Sequence, residues 1–130
     1  MKRTILAVCA ALIAAACGNY STSPYSGGGG GGGGPIGHVT VGNNFFQSAH
    51  NGTENTAVDT IAAGSSVTWT WAAPGSHSVQ STGSSNEAFR NSVVMSANGS
   101  SYVVTFNTPG TYTYDCAIHG AAMSGKVVVQ

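Results

Sequence analysis

Thr111-Tyr112-Thr113-Tyr114-Asp115-Cys116-Ala117-Ile118-His119-Gly120-Ala121-Ala122-Met123-Ser124-Gly125-Lys126-Val127-Val128-Val129 is the stretch on which the fold turns. Thr111 to Cys116 is rich in β-branched and aromatic residues, and Lys126 to Val129 ends in a β-branched run, so both flanks predict strands. With a side-chain period of two, Tyr112, Tyr114 and Cys116 share one face, directed into a core, and Asp115 points the other way, to solvent. The loop between the strands holds a thiol, an imidazole and a thioether within eight residues.

Working outward, Ser66-Val67-Thr68-Trp69-Thr70-Trp71 alternates polar and apolar residues, and Ser101 to Asn107 is again β-branched and aromatic. Ala63-Gly64-Ser65, Pro74-Gly75, Asn98-Gly99 and Pro109-Gly110 supply the turns between these runs. No segment keeps a helical period over ten residues; a short helix around Glu87 to Met95 is the one exception the pattern allows. Residues 36–130 therefore predict one all-β domain, large enough for a single core. Short strands at this spacing fit a sandwich or a Greek-key barrel, and periodicity alone does not choose between them.

The chain has three cysteines, of which Cys9 and Cys17 lie near the N-terminus, leaving Cys116 as the only thiol of the domain. A single thiol in an exported domain forms no internal disulfide and calls for a use, as nucleophile or as metal ligand. Taken singly, a Cys is a small hydrophobe, a Met is core filler, and a His is a satisfied or exposed side chain. Together, Cys116, His119 and Met123, with His77 some forty residues upstream after Pro74-Gly75, offer a thiolate, two imidazoles and a weak thioether. That is the donor set of a mononuclear blue-copper site. A Cys–His hydrolase has no need of His77 or Met123, and no third orienting residue stands out.

From about Val39 to Gln130 the chain resembles a cupredoxin of the plastocyanin–amicyanin type. Val67-Thr68-Trp69-Thr70-Trp71 before Gly75-Ser76-His77-Ser78-Val79 resembles the strand leading to the family's first histidine ligand. Thr108-Pro109-Gly110-Thr111-Tyr112 resembles the turn into its ligand strand, and Gly125-Lys126-Val127-Val128-Val129 its closing strand. The resemblance implies a Greek-key β-sandwich of about eight strands. It implies one copper ion held by His77, Cys116 and His119, with Met123 as the long axial ligand. It also implies a hydrogen bond from the Ser78 N–H to the Cys116 sulfur. Two departures stand out. Ser78 replaces the usual asparagine that ties the two ligand loops together, and the His119–Met123 spacing lies between the two commonest family lengths.

The function implied is a non-enzymatic, monomeric carrier that shuttles single electrons to transient redox protein partners docking near His119. The alternative is a copper-binding module for storage, delivery or sensing, which would use the same ligands. Gly120, Ala121 and Ala122 suit a shallow docking patch and equally a tight loop. His38 and His50 read as surface or structural residues, and Phe45, Phe46 and Phe89 as packing.

The N-terminus reads as a targeting segment. Lys2-Arg3 precedes an apolar run from Ile5 to Ala16, too short to span a bilayer as a mature helix. Ala14-Ala15-Ala16-Cys17 resembles a bacterial lipoprotein signal, so residues 1–17 are expected to end in a lipidated Cys17, with plain cleavage nearby as the alternative. Residues 18–35, with eight consecutive glycines from Gly27 to Gly34, read as a flexible tether. The expected location is the periplasm or outer surface, anchored to the outer membrane by lipid alone. After residue 17 the acids are Glu54, Asp59, Glu87 and Asp115 and the bases Arg90 and Lys126, four against two, a net charge of −2. Without clustered cations the chain is not built for nucleic acid.

Overall fold

The computed structural model describes residues 33–130. The targeting segment, Cys9, Cys17 and nearly all of the glycine tether lie outside the described residues. Eight strands follow in chain order: β1 (His38–Gly42), β2 (Phe45–Ser48), β3 (Ala57–Ile61), β4 (Ser65–Trp71), β5 (Gln80–Ser81), β6 (Ser101–Phe106), β7 (Gly110–Cys116) and β8 (Gly120–Val129). They form two four-stranded sheets, ordered β2-β1-β4-β6 and β3-β8-β7-β5. The pairs β1–β4 and β3–β8 are parallel and the other neighbours antiparallel. The fold is thus an all-β sandwich: the alternating pattern implied the strands, and the cupredoxin resemblance the sandwich.

Alternation in the sequence becomes burial in the structure. Val67, Trp69 and Trp71 of β4 are fully buried, while Ser66, Thr68 and Thr70 lie on the outer face. On β7, Tyr112, Tyr114 and Cys116 face inward, and on β8 Met123, Val127 and Val129 do so. The Tyr114 ring meets Phe46 and Trp69 edge-on, at centroid distances of 5.0 and 5.2 Å. Such aromatic pairs add about 0.5–1.5 kcal/mol beyond the area they bury. The Tyr112 hydroxyl donates to the Thr108 carbonyl at 2.8 Å and pins the Pro109-Gly110 turn that starts β7.

Glu87 to Met95 is not a helix, and no helix occurs among the described residues. The segment is extended and bound to the chain before and along β5. Asn91 Oδ1 accepts from the Ser81 N–H, Ser92 Oγ from the Val79 N–H, and Met95 pairs with His77. Side chains that capture backbone donors compete with helix formation, and Val93-Val94 favours extended backbone. Phe89 thereby stacks on Trp69, with centroids 6.0 Å apart, and the Tyr102 hydroxyl donates to the Arg90 carbonyl.

One charged group lies inside the sandwich. Asp59 is 1% exposed; one carboxylate oxygen accepts from Ser48 Oγ at 3.0 Å and the other has no hydrogen-bond partner in the protein. Burial raises its pKa above the ordinary 3.8, against smaller lowering effects of the Ser48 and Gly37 hydrogen bonds and of His50 and His38. A carboxyl whose folded pKa exceeds its unfolded value binds its proton more tightly when folded. Its contribution to stability is complete below the unfolded value and is lost as pH rises through the folded one. Chemical denaturation across that window should show stability falling with pH, by up to about 1.4 kcal/mol per unit for one proton. Asp59→Asn should remove this slope and raise stability at neutral pH.

Candidate metal centre

Two chain segments bring the ligand candidates to one end of the sandwich. β7 delivers Cys116 at its last residue, and the register with β8 then jumps from Asp115↔Ser124 to Cys116↔Gly120. This bulge leaves Ala121–Met123 without partners on β7 and builds the loop, a common use of bulges beside functional sites. The His119 N–H donates to the Cys116 carbonyl at 3.1 Å, closing a tight turn that presents the imidazole beside the sulfur.

The second segment follows β4. The His77 N–H donates to the Met95 carbonyl at 3.0 Å and the Met95 N–H to the His77 carbonyl at 2.9 Å. The same Met95 carbonyl accepts from Trp71 Nε1 at 3.0 Å. Gly75, at φ +134°, packs against the back of the His77 ring: a Cβ there would lie 2.8 Å from Nε2. Sequence reasoning did not single out Met95 or Gly75 for this clamp. The β-branched Val93-Val94 run before Met95 is the one local signal that could have marked it as part of an extended pairing segment, and Pro74-Gly75 marks Gly75 only as part of a turn.

His77, Cys116 and His119 converge, with one potential ligand atom from each lying within 4.8 Å of the others. Cys116 Sγ is 4.0 Å from His77 Nδ1, and the two imidazole centroids are 5.0 Å apart. His77 and Cys116 are buried and His119 is half-buried. Met123 is fully buried on the same loop. His119 Nδ1 is buried without a hydrogen-bond partner in the protein, as is His77 Nε2. An orphaned buried nitrogen costs about 1–3 kcal/mol, which a metal bond would offset at His119 Nδ1; at His77 the atom that faces the Cys116 sulfur is Nδ1, and Nε2 lies on the Gly75 side. Burial, and secondarily the proximity of His119, lowers the His77 pKa and keeps its lone pair free at neutral pH. A neutral imidazole and a buried thiol, with a buried thioether a few residues on, fit copper as a donor set.

Ser78 is 3% exposed, and its hydroxyl accepts from the Ala117 N–H at 3.1 Å. The shorter side chain therefore still bridges the two ligand loops, through its oxygen. We expect Ser78→Ala to cost about 1 kcal/mol of stability and to weaken copper binding about 10- to 100-fold, measured by competition with a chelator.

Asp115 keeps its expected face but not its expected exposure. It lies on the outer face, as alternation requires, but is half-buried beside Thr56, Thr82, Thr113 and Ser124. Its Oδ1 is buried without a partner, and burial raises its pKa. His38 and His50 are exposed and stand outside the cluster.

Residues 48–130 match the family model for copper binding proteins of the plastocyanin/azurin family. The chloroplastic plastocyanin of Tetradesmus obliquus is 41% identical over 81 residues, 57% of this chain and 56% of that protein. The plastocyanin of Scenedesmus fuscus is 38% identical over 78 residues, 55% of this chain and 80% of that protein. This chain thus spans just over half the length of the first of these relatives. Among solved structures, a purple cupredoxin from Nitrosopumilus maritimus superposes with TM-score 0.56 at 25% identity, covering 72% of this chain and 98% of that one. An oxidised methionine-to-leucine variant of amicyanin gives 0.57 at 28% identity, over 72% and 80%. Carrying the sandwich, the converging thiol and imidazoles and this match over most of its length, the chain belongs to the plastocyanin/azurin family of copper binding proteins.

Proposed function

We propose that His77, Cys116, His119 and Met123 hold one copper ion in a type 1 site and that the protein carries single electrons between redox partners docking near His119. The observation that carries this reading is the convergence of His77, Cys116 and His119 ligand atoms within 4.8 Å. When bound, copper cycles between Cu(I) and Cu(II), accepting and giving one electron. Cys116, at the end of a strand, and His77, clamped by Met95, supply ligands whose positions are set by the sheet rather than by the ion. A scaffold of that kind changes little between oxidation states, which favours rapid transfer. His119 keeps Nδ1 inside and remains half-buried, so its ring links the interior to the surface.

The direct experiment is to load the soluble domain with copper and record its absorption and spin-resonance spectra through repeated oxidation and reduction. An intense blue band that bleaches and returns supports the reading. A colourless copper complex sinks it, and slow electron exchange with rapid copper release to an acceptor would assign copper delivery instead. The resemblance of Ala14-Ala15-Ala16-Cys17 to a lipoprotein signal supports export and lipid anchoring at Cys17. An intact mass of the mature chain with an unmodified Cys17 would remove the anchor.

A further inference from the structure

The two sheets have four edge strands, β2 and β6 in one and β3 and β5 in the other. Loops close three of these edges by capturing their backbone groups. Along β2, the Ser48 N–H donates to the Thr53 carbonyl at 2.9 Å and the Asn55 N–H to the Phe46 carbonyl at 3.3 Å. On β3, Thr53 Oγ1 accepts from the Val58 N–H and Asn51 Nδ2 donates to the Val58 carbonyl, both at 2.8 Å. Beside β5, Ser92 Oγ accepts from the Val79 N–H and Asn91 Oδ1 from the Ser81 N–H. Proteins cover or charge such edges because unpaired N–H and C=O groups template an added strand.

The fourth edge, β6, is left open. The N–H groups of Thr68 and, just past β4, of Ala72 donate to Gly37 and Val41 on the β1 side, while the Trp71 N–H donates to Ser100 on the β6 side. Backbone groups alternate in direction along a strand, so the odd-numbered residues of β4 are the ones bonded to β6. The register sets Trp69 opposite Tyr102 and Val67 opposite Val104. The N–H and C=O groups of Ser101, Val103 and Thr105 therefore point away from β4, and among the described residues no loop supplies them a hydrogen bond. The strand carries no charge, and Ser101, Val103 and Thr105 are exposed on its outer face, Val103 by 54%. An uncharged, β-branched edge of this kind invites a further strand.

We propose that β6 pairs with β6 of a second copy of this chain, antiparallel across a two-fold axis at Val103, in place of the monomer that the family resemblance implies. The strand is self-complementary in that register. Val103 meets Val103 and Ser101 meets Thr105, so the exposed side chains pair apolar with apolar and hydroxyl with hydroxyl. On the inner side Tyr102 meets Val104, an aromatic beside a β-branched residue. Neither copy sets a charge against the other. The backbone groups match as well, because Ser101, Val103 and Thr105 of each copy exchange N–H···O=C bonds with Thr105, Val103 and Ser101 of the other. Any other centre on this strand shortens or misaligns that ladder. Six residues span only about 20 Å, so the joint is small and the dimer weak. Ser101 follows the loop that begins at Met95, the partner of His77, so it marks the metal end of β6. An antiparallel joint sends the two metal ends in opposite directions and leaves both open.

Residues 18–130 hold every described strand and serve for the test, copper-free and copper-loaded. In sedimentation the average mass should rise from monomer towards dimer between about 10 μM and about 1 mM, the range of weak interfaces, equally with and without copper. Over the same range the Val103 and Thr105 amides should become protected from hydrogen exchange, while those of Tyr102 and Val104, which face β4, stay as they were. Val103→Lys sets two like charges directly opposite one another and should weaken the dimer about tenfold at low salt. At about 1 M salt, where the Debye length is about 3 Å, much of that loss should be recovered. Val103→Pro removes a donor that β4 does not use and should abolish the dimer at any salt, with the circular dichroism of the sandwich retained. Thr111→Lys, adding the same charge on the outer face of the other sheet, should leave dimerisation unchanged. A chain that stays monomeric at the highest concentration overturns the proposal and leaves the edge to a strand of another protein. Dimerisation that spares the Val103 amide, or that Val103→Lys does not weaken, overturns it equally.

Discussion

Cys116→Ser should abolish the blue band of the copper-loaded protein completely and weaken copper binding by more than the roughly 10- to 100-fold typical of losing a supporting group. The band would arise from charge transfer between a thiolate sulfur and copper, and Cys116 is the only cysteine among the described residues. Serine is nearly isosteric at a position that is fully buried, so the sandwich should fold and the defect should be confined to the site. A hydroxyl keeps its proton far above neutral pH, whereas a thiol surrenders it to a metal readily. The two imidazoles and Met123 would remain, so weak, colourless copper binding is the expected residue of function. Absorption titration with copper measures both effects, and a variant that stays blue would show that another sulfur is the chromophore.

Gly125→Ala should damage the fold itself, although it adds a single methyl group. Gly125 pairs with Tyr114 across β7 and β8, and the Tyr114 ring lies over it. A Cβ at that position would lie closer to the ring carbons and hydroxyl of Tyr114 than real contacts allow. The ring has nowhere to go, being 1% exposed and held between Phe46 and Trp69. Overpacking costs about 1–3 kcal/mol where neighbours yield, and here the upper end or more is expected. Against a total stability of about 5–15 kcal/mol that is a large fraction. Thermal unfolding should drop by roughly 4–8 °C per kcal/mol for a domain of this size. Copper loading should suffer as well, because Tyr114 lies two residues before Cys116 on the same face. An unchanged midpoint would show that the ring can turn aside.

Local chemistry, written along the chain, pointed to strands at residues 66–71, 101–107 and 111–116, to the inward direction of Tyr112, Tyr114 and Cys116, and to the ligand types available. A period of two repeats within a few residues, so it is legible without knowing the partner strand. The donor set was equally legible, because Cys116, His119 and Met123 fall in one loop. Tertiary structure alone decided that His77, 39 residues from Cys116, comes within 4.0 Å of its sulfur. It also decided that Met95 clamps His77, that Ser78 ties the loops through its hydroxyl, that Asp59 is buried and that Glu87 to Met95 is extended. Each of these depends on contacts between segments distant in sequence, where sheet pairing and burial outweigh local preference.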